Sequence, residues 1–164
     1  MSIKNFSTEF LDNLSLSAFN LPRGRKNSNL HINYSDSCQR LFNAISIESY
    51  IPPHRHLADP KEETLLAVKG LFALIVFDET GRIEQIYKFG TERYFTQGVS
   101  SIGVELPPDV WHTVLALVED SVLLEIKAGP FIPSAAKESA PWAPDEESSE
   151  AISYFAMLKR LVNA

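Results

Sequence analysis

Short stretches in which apolar and polar residues alternate run through the middle of the sequence and limit the fold that it can adopt. A period of two is the pattern of a β-strand with one buried face. Turn residues separate the stretches, and Asp78-Glu79-Thr80-Gly81 is typical of a hairpin turn because glycine accepts a positive φ. The predicted strands cover residues 30–34, 41–50, 64–69, 71–77, 83–89, 102–106, 112–118 and 122–127. This series of short strands predicts an all-β sandwich or barrel.

Helical periodicity is found near the two ends of the sequence. Residues 6–19 place apolar side chains on one face, and Ser7 or Thr8 is a suitable N-cap, so we expect a helix that covers one end of the core. A second helix is expected near the C-terminus, packed on its own barrel or on a partner subunit. The Pro-, Ala- and Ser-rich segment before it is expected to wrap the barrel as a loop, pinned by Trp142. The predicted organisation is one domain, residues 1–164, with an N-terminal helix within 1–20, a barrel at 29–128, a Pro-rich and acidic wrap at 129–150 and a C-terminal helix at 151–164.

Three histidines and a glutamate are candidate ligands of a divalent metal ion. His54 and His56 are two residues apart, so in a strand their side chains project to the same side. Glu63 begins the next predicted strand and His112 begins a later one, set by the rigid Pro107-Pro108 turn. Glu62 is the competing carboxylate. Imidazole and carboxylate together suit Zn, Fe, Mn, Ni or Cu, so we expect one divalent ion of unspecified identity.

A basic segment precedes the first predicted strand. Arg23, Arg25 and Lys26 lie between Leu21 and His31 in a stretch that also contains Pro and Gly. The segment is either a solvated turn or an anion-binding loop, since arginine offers a planar fork to carboxylate or phosphate, and spacing alone does not decide between them. His31 is a fourth imidazole, interpreted as facing the surface or a substrate.

Composition and charge exclude several classes of protein. The net charge of −6 disfavours broad nucleic-acid binding. No apolar run approaches the roughly 18 residues that span a bilayer, and the first residues lack the pattern of a signal peptide. The single cysteine, Cys38, forms no internal disulfide and fits a reducing compartment. We therefore expect a cytoplasmic protein without a membrane or nucleic-acid partner.

The metal-ligand candidates resemble two motifs of the cupin superfamily. His54-x-His56, Glu63 and Gly70 look like the first cupin motif, and Pro107 with His112 looks like the second. Further matches in order along the chain resemble the WbuC-type cupin fold metalloproteins; they lie at residues 22–25, 29–31, 39–44, 53–56, 63–64, 103–108, 111–113 and 140–144. The resemblance implies a double-stranded β-helix, or jelly-roll, barrel with a metal site, a homodimer, and a place in bacterial O-antigen and surface-polysaccharide synthesis.

Three functions remain open on the sequence. The first is a metal-dependent isomerase or epimerase acting on a sugar or nucleotide-sugar, in which the metal acts as a Lewis acid and a nearby base moves a proton. The second is an iron-dependent dioxygenase, and the third is a metal- or sugar-binding protein without activity. For the first function the candidate bases are His31, Tyr94 and Glu105, and the candidate substrate-binding residues are Arg23, Arg25 and Lys26.

Overall fold

Two five-stranded antiparallel sheets form the body of the protein in the computed structural model, which describes residues 3–163. The helices are α1 (Thr8–Phe19) and α2 (Ala151–Asn163), and two 3₁₀ helices cover Glu92–Gln97 and Pro133–Ala135. The strands are β1 (Arg25–Asn29), β2 (Cys38–Ile45), β3 (His54–Arg55), β4 (Glu63–Lys69), β5 (Leu71–Phe77), β6 (Ile83–Gly90), β7 (Gly103–Leu106), β8 (Trp111–Ala116), β9 (Ser121–Ala128) and β10 (Glu138–Ser139).

Strands that are neighbours in sequence lie on different sheets, except for the pairs β1–β2 and β5–β6. The first sheet has the order β1-β2-β9-β4-β7 and the second has the order β10-β3-β8-β5-β6. The chain passes from the first sheet to the second between β4 and β5, at Gly70, whose φ of +84° suits glycine. The prediction of an all-β protein with two flanking helices is confirmed at this level, as a two-sheet sandwich.

Apolar side chains fill the space between the sheets and the space under each helix. Phe72 and Phe89 stack between the sheets with ring centroids 5.4 Å apart. Leu14 and Ala18 of α1 pack against β2 and β9 on the outer side of the first sheet. Helix α2 packs on the second sheet of its own chain through Phe155 and its neighbours, which resolves the alternative left open by the sequence. Strand β5 is apolar almost throughout because both of its faces are covered.

The prediction for the first strand is wrong. The structure places β1 at Arg25–Asn29, inside the predicted basic loop, and residues 30–37 form turns instead of a strand. Strand β1 has a polar sequence because one of its faces borders a polar cavity, so it lacks the apolar alternation that predicts a strand. Strand β2 also ends at Ile45, and residues 46–50 form a turn.

Outside the sheets, the structure agrees more closely with the predictions made from the sequence. Ser7 caps α1, accepting a hydrogen bond from the backbone nitrogen of Phe10 at 3.2 Å. Trp142 contacts the second sheet, with its ring centroid 5.0 Å from that of Phe77. This contact agrees with the prediction that Trp142 holds the Pro-rich segment against the barrel. The same segment also contributes β10, which the sequence did not predict. No helix within residues 3–163 is both long and apolar enough to cross a membrane.

Candidate metal centre

Strand pairing brings two of the predicted histidines together. His54 on β3 and His112 on β8 are register partners in the second sheet, so their side chains share one face. Strand β3 is two residues long, and Pro52 and Pro53 lie directly before it. Proline is tolerated at the start of a strand because it cannot donate a hydrogen bond within the sheet. His56 follows directly after β3. Nitrogen atoms of His54, His56 and His112 all lie within 4.8 Å of one another, a separation that allows them to share one ion.

The three rings are held in one tautomer by the backbone. Each Nδ1 faces a carbonyl oxygen, at 2.9 Å for His54 and Pro52, 2.5 Å for His56 and Ala136, and 2.8 Å for His112 and Val110. Because a carbonyl only accepts, each Nδ1 carries the proton and donates it, which leaves the lone pair on Nε2. Metal-binding histidines are usually oriented by such a bond from their second nitrogen.

Glu63 supplies a carboxylate to the same point. Its Oε2 lies 3.5 Å from Nε2 of His56 and 3.6 Å from Nε2 of His112, and its side chain is buried. Glu62 is exposed, since neighbouring side chains in a strand face opposite sides. The structure therefore places Glu63, and not Glu62, with the three histidines.

The geometry of these four residues supports a divalent cation independently of any sequence motif. Three imidazole lone pairs and a carboxylate converge, and Nε2 of His56 is buried without a hydrogen-bond partner. Four electron-pair donors facing one another require a positive charge between them, from protons or from a metal ion. This nitrogen and oxygen set suits zinc and other first-row divalent metals.

Burial governs the protonation of the site. Burial lowers the pKa of His54 well below its usual value, and the neighbouring His112 and His56 lower it further, so the His54 ring is neutral and able to bind a metal. Burial alone would raise the pKa of Glu63, but the adjacent His112 and His56 outweigh burial and hold that pKa well below its usual range. Glu63 is therefore a charged carboxylate.

A cavity of about 920 Å³ opens over these four residues, between the inner faces of the sheets and the segments that cover them. His31 lies in its wall and is buried. Tyr94 and Glu105, the other two predicted bases, do not line it: Tyr94 is on the 3₁₀ helix Glu92–Gln97, and Glu105 is on the outer face of β7, where it accepts a 2.7 Å hydrogen bond from Thr64. The geometry therefore gives these two residues no role at the candidate centre.

The predicted substrate-binding residues line the cavity, but two of them are already engaged. Arg25 forms a bidentate pair with the carboxylate of Glu146, with both N–O distances 2.7 Å, and Arg23 binds the same carboxylate at 2.9 Å. Lys26 is exposed. Lys137 also borders this group, and burial together with the charges of Arg25 and Arg23 lowers its pKa.

Three further polar residues of the cavity were missed by the sequence analysis. Glu125 lies beside Glu63, and burial together with the charge of Glu63 raises its pKa well above the usual range. Lys127 is the register partner of Glu63 across β9 and β4, and Gln39 is the register partner of Lys127 across β2 and β9. For Glu125 and Lys127, the signal that could have found them is a polar residue at every second position of the otherwise apolar β9.

Comparison with known proteins identifies one family. The sequence model of the family described as "Domain of unknown function (DUF6016)" matches residues 6–89, a little over half of the 164 residues. A search of curated proteins gives no significant match.

Solved structures with the same fold share little sequence with the chain. Protein SO0799 from Shewanella oneidensis has a TM-score of 0.55 at 11% identity, over 86% of this chain and 85% of that one. Oxalate decarboxylase from Bacillus subtilis has a TM-score of 0.50 at 14% identity, over 70% of this chain and 27% of the enzyme. These likenesses show the fold alone. With the two-sheet architecture they support the predicted all-β sandwich fold.

Proposed function

The chain belongs to the DUF6016 family, and we propose that it is a cupin that binds one divalent metal ion through His54, His56, Glu63 and His112. The observation that carries the proposal is the convergence of three imidazole Nε2 atoms and one buried carboxylate, each ring fixed by its Nδ1–H bond to the backbone. The unpartnered Nε2 of His56 supports it independently, because a buried lone pair without a partner is costly.

We further propose that the protein is a metal-dependent enzyme acting on a sugar or nucleotide-sugar, and that it belongs to the WbuC-type, jelly-roll cupins linked to surface-polysaccharide synthesis. A bound divalent ion supplies Lewis-acid chemistry. His31 and Glu125 are the cavity groups placed to hold or move a proton, since both line the space above the histidines. The candidate metal ligands lie in a concave cavity of about 920 Å³, and small-molecule sites are usually of this kind.

Elemental analysis of the purified protein tests the metal site. Wild type is compared with His112→Ala and Glu63→Gln, and Glu62→Gln serves as the matched control because Glu62 is the exposed neighbour of the predicted ligand. We expect about one metal ion per chain in wild type and in Glu62→Gln, and a large loss in the other two variants. Full metal content in His112→Ala would overturn the assignment.

The identity of the metal directs the activity assay. Zinc, nickel or manganese leads to a panel of sugars, sugar phosphates and nucleotide-sugars followed by NMR, where isomerisation or epimerisation is the expected result. Iron leads first to oxygen uptake with the same panel, and metal-dependent uptake would replace the isomerase proposal with a dioxygenase.

A homodimer is also part of the proposal. The sheets end in edge strands, and β6 exposes Tyr87 on one such edge. Edge strands can pair with a second copy of the chain. Light scattering after gel filtration is expected to give twice the mass of the 18.4 kDa chain, and a monomer mass at all concentrations would refute the dimer.

A further inference from the structure

Polar atoms without a hydrogen-bond partner collect in the cavity. Seven buried side-chain atoms of the described residues have no partner, and four of them, His31 Nε2, Gln39 Oε1, Asn43 Oδ1 and His56 Nε2, belong to residues that line this one cavity. Leaving such an atom unpaired is unfavourable, because it loses its hydrogen bond to water without gaining another. Because the proposed metal ion satisfies only His56, the other three atoms need partners, and the hydroxyl and anionic groups of an organic ligand can supply them.

Gln39 presents a hydrogen-bond acceptor whose orientation is fixed. Its side chain is 4% exposed, and its Nε2 donates toward the backbone oxygens of Asn33, Tyr34 and Asp36 at 3.3, 3.2 and 2.9 Å. These carbonyls only accept, so the amide nitrogen faces them and Oε1 points the other way, on a residue that lines the cavity. The ligand atom that meets Oε1 is therefore a donor, such as a hydroxyl group.

His31 presents a donor. Its Nδ1 lies 3.1 Å from the backbone nitrogen of Arg40 and 3.0 Å from the Arg40 oxygen. That oxygen already accepts from the backbone nitrogens of Leu30 and His31, so Nδ1 accepts from the Arg40 N–H and the ring proton is on Nε2. His31 is buried, and its Nε2–H has no acceptor among the described residues, so an acceptor group of a ligand suits this position.

Lys127 makes this part of the cavity suitable for an anionic group. It lies between Gln39 and Glu63 in the row of register partners across β2, β9 and β4. Its ammonium forms no ion pair within 4 Å to a carboxylate of the described residues. The cavity lining as a whole has five basic side chains, Arg23, Arg25, Lys26, Lys127 and Lys137, against two acidic ones, Glu63 and Glu125. Arg23 and Arg25 are paired with Glu146, but the remaining basic residues, three lysines, still outnumber the two glutamates. The cavity therefore favours anions although the whole chain carries −6.

The spacing of the register partners across β2, β9 and β4 indicates the size of the ligand. Adjacent strands are about 4.8 Å apart, so Gln39 and Glu63 lie roughly 10 Å apart along the sheet, two strand spacings. A molecule of the size of a hexose bridges this distance from the metal-binding histidines to the wall formed by Gln39 and His31.

We propose that the cavity binds a hydroxy acid of hexose size, a molecule with several hydroxyl groups and one anionic group. Hydroxyl groups donate to Gln39 Oε1 and Asn43 Oδ1, and the anionic group accepts from His31 Nε2–H and from the ammonium of Lys127. This inference deepens the proposed function and rests on it, because the opposite end of the ligand lies over the proposed metal site.

Calorimetric titration of the metal-loaded protein with three matched compounds separates the contributions. Gluconate carries hydroxyl groups and a carboxylate, glucose carries hydroxyl groups alone, and hexanoate carries a carboxylate alone. We expect gluconate to bind at least about tenfold more tightly than either of the others, since it alone combines the hydroxyl contacts with a charge-assisted hydrogen bond. Equal affinity for gluconate and hexanoate, or for gluconate and glucose, would overturn the proposal.

Two variants test which residue binds the anionic group of the ligand and which binds its hydroxyl groups. Both leave the loop contacts of Gln39 intact. Lys127→Met is expected to weaken gluconate binding about tenfold or more and leave glucose unchanged, whereas Asn43→Leu is expected to weaken both and leave hexanoate unchanged. Glu105→Gln, on the outer face, is the control and should change nothing. Metal content is measured in the same samples after titration. Full metal without gluconate binding refutes this inference alone, whereas wild type without metal refutes the proposed function.

Discussion

Replacing Glu146 by Gln tests how the C-terminal segment is held at the mouth of the cavity. The Glu146 carboxylate accepts two 2.7 Å bonds from Arg25 and a 2.9 Å bond from Arg23. The substitution keeps the shape of the side chain but removes its charge and turns one acceptor into a donor that faces a guanidinium group.

The expected cost follows from the exposure of each partner. The Arg23 side chain is 61% exposed, so its ion pair contributes between 0 and about 1 kcal/mol. The Arg25 side chain is 11% exposed, and a charge-assisted bond in such surroundings is worth about 1.5–3 kcal/mol. We expect a loss of about 2 kcal/mol in the free energy of unfolding, which corresponds to a fall of about 4–8 °C in Tm for a domain of this length.

The same pair gives this loss a defined pH dependence. Burial opposes ionisation of Glu146, but the hydrogen bonds from Arg25 and Arg23 outweigh it and lower its pKa below the usual value of 4.5. An acid whose pKa is depressed by folding stabilises the folded state above its unfolded pKa, and this contribution is lost as the pH falls through the folded pKa. The difference between wild type and Glu146→Gln should therefore be full at pH 7 and shrink progressively below pH 4.5.

Urea unfolding at pH 7 and pH 3.5 measures both effects. Glu147→Gln is the matched control, because Glu147 is the adjacent, exposed glutamate, and it should change stability by less than about 0.5 kcal/mol. An equal loss in the two variants, or a loss in Glu146→Gln that is as large at pH 3.5 as at pH 7, would refute the reasoning.

Three other perturbations test the metal site and the packing. Metal ion at a hundred times its Kd should stabilise wild type by about 2.7 kcal/mol and leave His112→Ala unchanged, as measured by thermal unfolding. Gly70→Ala should cost about 2–4 kcal/mol in urea unfolding, because its φ is +84° and the added Cβ would lie 2.8 Å from Cα of Ser121; Gly98→Ala, with φ +81° and open space around it, should cost only about 1–2 kcal/mol. Phe72→Ala should cost about 3–5 kcal/mol in the same assay, since Phe72 is fully buried between the sheets, and a loss below 1 kcal/mol would contradict this packing.

The sequence predicts best those strands whose pattern of apolar and polar residues matches the burial of their faces. Strand β5, Leu71–Phe77, was predicted with its observed bounds because it is buried on both faces and therefore continuously apolar. Strand β1 was missed because its inner face borders a polar cavity, and a polar strand resembles a loop in sequence. Strand β10 was missed because it is two residues long and is held by tertiary contacts, including the ion pair between Arg55 and Glu138 at 3.0 Å.

The candidate metal site was easier to predict than the rest of the cavity. Histidine and glutamate at strand spacing are conspicuous, and alternation alone separates Glu63 from Glu62 once the strand is known. Glu125, Lys127 and Gln39 were not predicted, since period two does not say which face of a strand looks inward. Their convergence depends on the register between β2, β9 and β4, and the sequence does not specify that register.

Anomalous diffraction from crystals of the metal-reconstituted protein tests the central proposal most directly. A peak at the absorption edge of the bound metal is expected among Nε2 of His54, His56 and His112 and the carboxylate of Glu63, with nitrogen and oxygen distances near 2.0–2.2 Å if the ion is zinc. An anomalous peak at any other place in the molecule, or none at all in protein shown to be folded, would contradict the metal site proposed for this cavity.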